Sequence, residues 1–448
     1  MISGTFTPGV PKERAGIYFR FTSAAQSRLA VGVRGRVVLP LVLKWGPSKT
    51  FSEITEGSDF FDKLGVDITD SSALLIKEAK KQARTVLVYR LNTGTKATGT
   101  ISTGVTATAA HGGALGNSIK IVIQDNVLEP TKKDVTVYFG VTQVSKQTVA
   151  TAAELKSDKW VAFTGTGALT VTAGVTLTGG ADGTTTNQEY ADFLAAAETQ
   201  YFDTIALPLD SDTALKATFV SYIKRLRDTH GIKVVGVMPN HPGDFEGIIN
   251  VTNGPILATG ETLTPAQNVA WVAGASAGAT MYQSLTFIEY EGAVDVTPKF
   301  DNDQIISRLK AGEFLLTLDP RDKKVSVEKD INSFTSFTTA KNKRFAKNKI
   351  IRILDAINND LIVNLKALIK EKKDRGQDIP VNGDGAQIVR SAVSTYLTTL
   401  QEGNALTNFD PQTDINIVIT DDADGFLISV GAQPVDSAEK LYFDMEVR

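Results

Sequence analysis

No cysteine occurs in the 448 residues, which excludes disulfides and thiolate metal sites. Only three histidines are present, His111, His230 and His241, too few and too scattered for a histidine-rich metal centre. Net charge is nearly absent: 47 Lys and Arg face 50 Asp and Glu, so the total charge does not point to a nucleic-acid or membrane-surface protein. No apolar run reaches the ~18 residues that cross a bilayer. The nearest, Val269 to Ala279, consists of small residues interrupted by Gly274 and Gly278. The first residues are polar and turn-rich, so no secretory signal is expected. These absences predict a soluble protein made in the cytoplasm, with no cofactor and no membrane insertion. Its length allows about two to four domains, each with its own core.

Catalytic signatures are missing too. A serine triad needs a base histidine oriented by a carboxylate. His230 sits in Asp228-Thr229-His230-Gly231, where a cation suits a helix C-terminus, and His241 lies in a Pro-flanked turn. Neither is accompanied by a G-x-S-x-G elbow. Gly112, Gly113 and Gly116 lack the following Lys-Ser/Thr pair of a phosphate loop and read as a turn between strands. No enzyme is expected; an α/β hydrolase would require a buried Ser-His pair, and a β-rich adhesin a ligand pocket.

What is present is alternation. Residues 31 to 98 read as α/β: a buried strand region around Val37 to Leu43, a helix from Ala73 to Gln82, a strand from Thr85 to Arg90. From about Gly94 to Thr186 the composition turns to Thr, Gly, Val and Ala. Short runs such as Ile119 to Ile123, Val135 to Tyr138 and Val171 to Leu177 predict an inserted all-β unit. From 187 to 300 α/β alternation returns: a helix capped by Asn187 or the Thr run before it, a strand at Thr204 to Leu207, an amphipathic helix over Ala214 to Thr229 and an apolar strand at Val234 to Met238. That spacing predicts a parallel sheet. A last, longest helix is expected from about Lys341 to Asp374, with Ile350, Leu354, Ile357, Leu361, Leu365 and Leu368 on one face.

Both ends carry strand patterns. Met1 to Gly16 reads as an extended arm, after which Ile17, Phe19 and Phe21 alternate with polar or aromatic neighbours. Three strands are expected from Asp414 onward: Ile415 to Ile419, Phe426 to Val430, and a last in which Leu441, Phe443, Met445 and Val447 share one face. An unprotected apolar strand is either an intramolecular edge or a connector given to a neighbour. Four such side chains offer at most about 6 to 12 kcal/mol gross on burial. Two ends of this kind fit a chain that gives one strand to each of two neighbours.

The densest charge feature is Lys341, Lys343, Arg344, Lys347, Lys349 and Arg352, with no acid among them. It reads either as a solvated helix face or as a contact with an acidic partner, with Lys343, Lys347 and Lys349 as the contact candidates. No aromatic residues interleave it as base-stacking platforms, which leaves nucleic acid the weakest option.

Ile331 to Asp360, INSFTSFTTAKNKRFAKNKIIRILDAINND, resembles the contractile tail sheath proteins of phages. So do LIKEAKKQARTVLVYRLN (Leu75 to Asn92), AAHGGALGNSIKIVI (Ala109 to Ile123), SLTFIEYEGAVDV (Ser284 to Val296) and VDSAEKLYFDMEV (Val435 to Val447), in the family's order. The resemblance implies a multidomain α/β protein: an α/β, subtilisin-like sheath core, an inserted β-sandwich, and a C-terminal α+β domain with exchanged terminal strands. On that basis the expected parts are an N-terminal arm and strand (1–22), the first part of the core (23–93), the β-sandwich (94–186), the remaining core (187–335) and the C-terminal domain (336–448). It further implies hexameric rings stacked helically around a tail tube, and contraction that drives the tube through a host envelope. The implied partners are other copies of the chain, the tube protein, and baseplate and tail terminator proteins. The implied place is a virion tail or phage-tail-like particle assembled in the bacterial cytoplasm. In this reading Lys343, Lys347 and Lys349 face the tube.

Overall fold

The computed structural model describes residues 34–447, together with a short parallel pairing of Ser3–Gly4 with Ile17–Tyr18. These residues fall into two compact units: Asp360–Gln433 with the N-terminal pair, and the stretch up to Asn359 with Pro434 onward.

The larger unit is built on seven strands: β1 (Arg36–Leu41), β2 (Phe51–Ile54), β3 (Thr85–Arg90), β4 (Thr204–Ala206), β5 (Val235–Pro239), β6 (Ile248–Val251) and β7 (Glu313–Phe314). Their spatial order is β7-β6-β5-β4-β1-β3-β2. Neighbours run parallel except the edge strand β2, which is antiparallel to β3. Parallel neighbours need crossovers, and helices in those crossovers cover both sheet faces. The four that matter are α1 (Leu74–Lys80), α2 (Asn187–Ala197), α3 (Thr213–Lys224) and α4 (Pro265–Gly278). Helices α1 and α4 share a core with Val37, Leu39, Val88, Val237 and Ile249; α2 and α3 share another with Val38, Leu87, Ile205 and Met238. Successive residues of β1 thus bury on opposite faces, which is why it reads as a continuous apolar run.

Caps fix where these helices start. Thr186 and Glu189 form a capping box on α2, and Thr264 and Gln267 form another on α4, with Pro265 in its first turn. Almost all of α4 is buried. Its small residues serve close packing: a Cβ at Gly274 would lie 2.3 Å from the Ala79 carbonyl oxygen of α1.

The Thr/Gly-rich stretch is a β-sandwich. One sheet holds Thr142–Val149, Lys133–Phe139, Ile119–Asp125 and Thr172–Thr176, the other Val161–Gly165, Val105–Gly112 and Lys96–Ser102. It docks on the α/β unit through aromatic rings. Trp45, only 1% exposed, packs 5.2 Å from Phe139, and Phe61 packs 5.3 Å from Trp160. The glycines read as a turn lie at this joint: Gly113 has φ 129°, and a Cβ there would meet the Lys44 carbonyl oxygen at 2.0 Å. Arg90 and Asn92, both buried, tie the entering strand to the Gly46 and Leu43 carbonyls.

The smaller unit holds the second half of α5 (Asn348–Asp374), α6 (Gly383–Glu402) and the antiparallel hairpin of β8 (Ile415–Ile419) and β9 (Phe426–Val430). The Tyr396 hydroxyl donates to Asp360 at 2.8 Å and Arg390 to the Ile415 carbonyl at 2.6 Å, joining the three parts.

Two expectations are revised here. Helix α5 starts at Asn348, not near Lys341. Asn342 caps a separate 3-10 turn, Lys343–Ala346, and Lys347 is extended (φ −98°, ψ 122°) and bridges Ile331. Nor is α5 the last helix. The buried positions Val389, Val393, Tyr396, Leu397 and Leu400 give α6 one apolar face, and Asn342-like capping by Asn382 starts it.

Two predictions follow from this packing. Replacing residues 94–181 by a short linker leaves Trp45 and Phe61 uncovered, so the excised chain is expected to aggregate, and the same excision carrying Trp45→Ser and Phe61→Ser to stay soluble and melt cooperatively. Calorimetry of both checks this; loss of cooperative melting in the second makes the sandwich integral to the core. The other concerns Asp244, whose carboxylate accepts from the Thr335 and Ser336 amides at 2.7 and 3.0 Å and from both hydroxyls. Burial opposes its ionisation, but these bonds outweigh that and hold its pKa at about 2 against an ordinary 3.8. A depressed pKa gives stability that is present above the unfolded value and lost as pH falls through the folded one. Between about pH 4 and pH 2 the parent is therefore expected to lose more stability than Asp244→Asn, measured by urea melts across that range.

Candidate functional site

The three histidines lie apart. His230 is exposed, and His241 uses its backbone amide to donate to Asn250. His111 stands edge-on to Trp45 at 5.1 Å in the sandwich joint, where burial and the charges of Arg90 and Lys96 push its pKa down to about 4. Among the described residues, no group of three or more His, Cys, Asp or Glu is placed to hold a metal ion.

Among the described residues, the basic run divides into residues paired within the chain and one that is not. Arg352 is 3% exposed, donates to the Gln283 carbonyl at 2.7 Å and stands 3.5 Å from Asp330. Lys341 pairs with Glu246 at 2.5 Å, and Arg344 donates to the Pro434 carbonyl. Lys347 lies between Asp436 at 2.5 Å and Glu439 at 3.1 Å. Lys349, 6% exposed, donates to the Ser437 hydroxyl at 3.0 Å. Lys343 is exposed, with no ion-pair partner among the described residues. The three contact candidates therefore do not form one outward stripe: Lys347 and Lys349 are taken up by the chain's own 434–440 segment. The reason is the break at Lys347, which keeps the run from being one helix face.

The electrostatics agree. Burial alone lowers the pKa of Lys347, yet its bonds to Asp436 and Glu439 leave it raised. Lys349, with a hydroxyl in place of a direct carboxylate partner, is lowered by burial and by the charges of Arg352 and Lys347. Sequence reasoning missed the acidic half of this site, Asp436 and Glu439. Both stand in the VDSAEK stretch, and the available signal was charge complementarity across about ninety residues, which no local pattern reports.

Beyond this segment the apolar side chains lie uncovered among the described residues. Leu441, Phe443, Met445 and Val447 are 75%, 82%, 84% and 96% exposed, and the stretch pairs with no strand among the described residues. The expected third strand is thus unformed in the single chain, since a strand exists only where another edge supplies its hydrogen bonds. At the other end, Ile17 lies in the short parallel pair, while Phe19 and Phe21 lie outside the described residues.

The smaller unit has exposed strand edges of its own. The hairpin β8-β9 is a two-stranded sheet with an unpaired edge on each side among the described residues, and Val418 and Leu427 are 50% and 64% exposed. Beside it an open groove of about 360 Å³ is lined by Leu365, Leu368, Ile369, Val389, Phe426 and Ile428.

Family models match nearly the whole of this architecture. They are the tail sheath protein Gp18 domain III N-terminal region (residues 34–91), the phage tail sheath protein beta-sandwich domain (92–182), the phage tail sheath protein central domain (183–333) and the phage tail sheath C-terminal domain (340–448). The chain is 53% identical to the phage-like element PBSX protein XkdK of Bacillus subtilis over the full length of both. Two solved structures share the fold. The sheath tail protein Lin1278 of Listeria innocua is 49% identical, covers 93% of this chain and 95% of its own, and gives a TM-score of 0.85. The sheath tail protein DSY3957 of Desulfitobacterium hafniense is 48% identical, covers 96% and 99%, and gives 0.83. With its central α/β sheet, docked β-sandwich and C-terminal domain all matched, the chain belongs to the phage tail sheath protein family.

Proposed function

We propose that the chain is the subunit of a contractile sheath: copies stack as hexameric rings in a helix around a tail tube, and contraction drives the tube through the host envelope. The subunits would be held by exchanged strands, with the tube protein, baseplate and terminator proteins as further partners, in a tail or tail-like particle assembled in the host cytoplasm. The observation that carries this reading is the apolar stretch 441–447, exposed and without a partner strand among the described residues. In a monomer such a stretch is a liability, and in a polymer it is a connector. The open edges of β8 and β9, with the apolar groove beside them, are the surface on another copy best suited to receive it. The N-terminal residues Ile17, Phe19 and Phe21 are proposed as the second connector. Of the basic run, Lys343 is the residue free to meet an acidic tube, while Lys347 and Lys349 serve within the chain.

Deleting Leu441–Arg448 is expected to leave a folded monomer with the parent's circular dichroism and melting temperature but without polymers in sedimentation. Full-length tubes from the truncated chain would sink the reading. Lys343→Glu should reduce the yield of extended particles around the tube while leaving tubeless polymer unchanged. A single exposed pair is worth about 0 to 1 kcal/mol, but the contact repeats in every subunit along the particle. Extended tails at parental yield from Lys343→Glu would place the tube contact elsewhere.

A further inference from the structure

The 434–440 segment is held by a dense set of side-chain contacts. Within six residues, the Pro434 carbonyl accepts from Arg344, the Asp436 carboxylate pairs with Lys347, the Ser437 hydroxyl accepts from Lys349, and Glu439 takes both Lys347 and the Thr286 hydroxyl, the last at 3.2 Å. The Glu439 side chain is 11% exposed. From there the polar contacts continue inward. The Thr286 hydroxyl accepts from the Asp330 amide at 3.0 Å. The Asp330 carboxylate, itself 1% exposed, accepts from the Leu285 amide at 3.0 Å and from Asn348 at 2.9 Å, beside Arg352. Two residues past Glu439 this order stops, and Leu441 onward is exposed.

We propose that Asp436, Ser437 and Glu439, gripped by Lys347, Lys349 and Thr286, form an anchor that fixes the root of the C-terminal connector to the α/β unit of its own subunit. Lys347 is its central positioning residue. This rests on the reading of 441–447 as a donated strand and adds what that reading lacks, a fixed point from which the strand leaves. Two physical consequences support a separate anchor. A root already ordered in the free subunit spares part of the conformational entropy that docking the strand would otherwise cost, so assembly is favoured by preorganisation. Tension applied to a docked strand by a neighbour then passes through Glu439 and Thr286 to the buried Asp330 cluster, and so to the start of α5, rather than along an untethered tail.

The absence of cysteine permits a clean test. Ala438 is exposed between the anchoring residues, so Ala438→Cys carries a single nitroxide label with little disturbance. In the full chain, diluted to monomer, the label is expected to show restricted motion. Lys347→Glu, which places a like charge against both Asp436 and Glu439, should give a freely moving label and raise the critical concentration for polymerisation by about tenfold or more. Lys347→Arg, which keeps a cation between the two carboxylates, should leave both readouts at parental values. A label equally mobile in the parent and in Lys347→Glu overturns the anchor. A label freed by Lys347→Glu with no change in critical concentration also overturns the proposal, since the anchor then does nothing for strand delivery. The label motion is read in monomers, so it stands or falls independently of whether Leu441–Arg448 is the connector.

Discussion

A carboxylate removed from water must find charge and hydrogen bonds at once or be protonated. Asp330 meets that demand with Arg352, Asn348 and the Leu285 amide. A second buried carboxylate, Asp355, takes both guanidinium nitrogens of Arg227 at 2.7 Å. Asn348, Arg352 and Asp355 follow one another at helical spacing and so share one face of α5. These contacts lock the first two turns of α5 against the turn that follows α3 and the loops after α4. A buried pair is weak evidence for net stability, but breaking one is costly and its geometry is exacting. Its contribution here is register: it permits one placement of α5.

That placement decides the fate of the basic run. With Arg352 drawn inward and Ile350, Ile351 and Ile353 buried, Lys347 and Lys349 sit at the border between core and surface. Each still needs an acceptor there. The 434–440 segment supplies two carboxylates and a hydroxyl, so the chain closes on itself through charge, and the apolar residues that follow are left outside. Asp436, Ser437 and Glu439 find partners within the chain, while the apolar side chains at 441, 443, 445 and 447 stay exposed.

The sandwich follows a different principle. It is tied to the α/β unit by aromatic contact around Trp45 and by close backbone approach at Gly113, with the buried Arg90 and Asn92 holding the strand that leads into it. It shares one hydrophobic cluster with Trp45 and Phe61, so its attachment is packing rather than a loose linker.

Periodicity in the sequence was enough to determine the parallel sheet, the helices that cover it and the all-β insert, because alternation and helical spacing are local properties that survive in any surrounding. It marked Leu441, Phe443, Met445 and Val447 as a strand face and marked the basic run as unusual. The face and cap of α6 were equally local and went unread, but no local pattern revealed where α5 begins or that Lys347 and Lys349 turn toward Asp436, Ser437 and Glu439. Those facts depend on contacts between residues about ninety positions apart, and on a break at Lys347 imposed by its bridge to Ile331. Charge alone cannot say whether a lysine meets solvent, a partner or its own chain; only the tertiary structure, by setting what lies within hydrogen-bond reach, decides it.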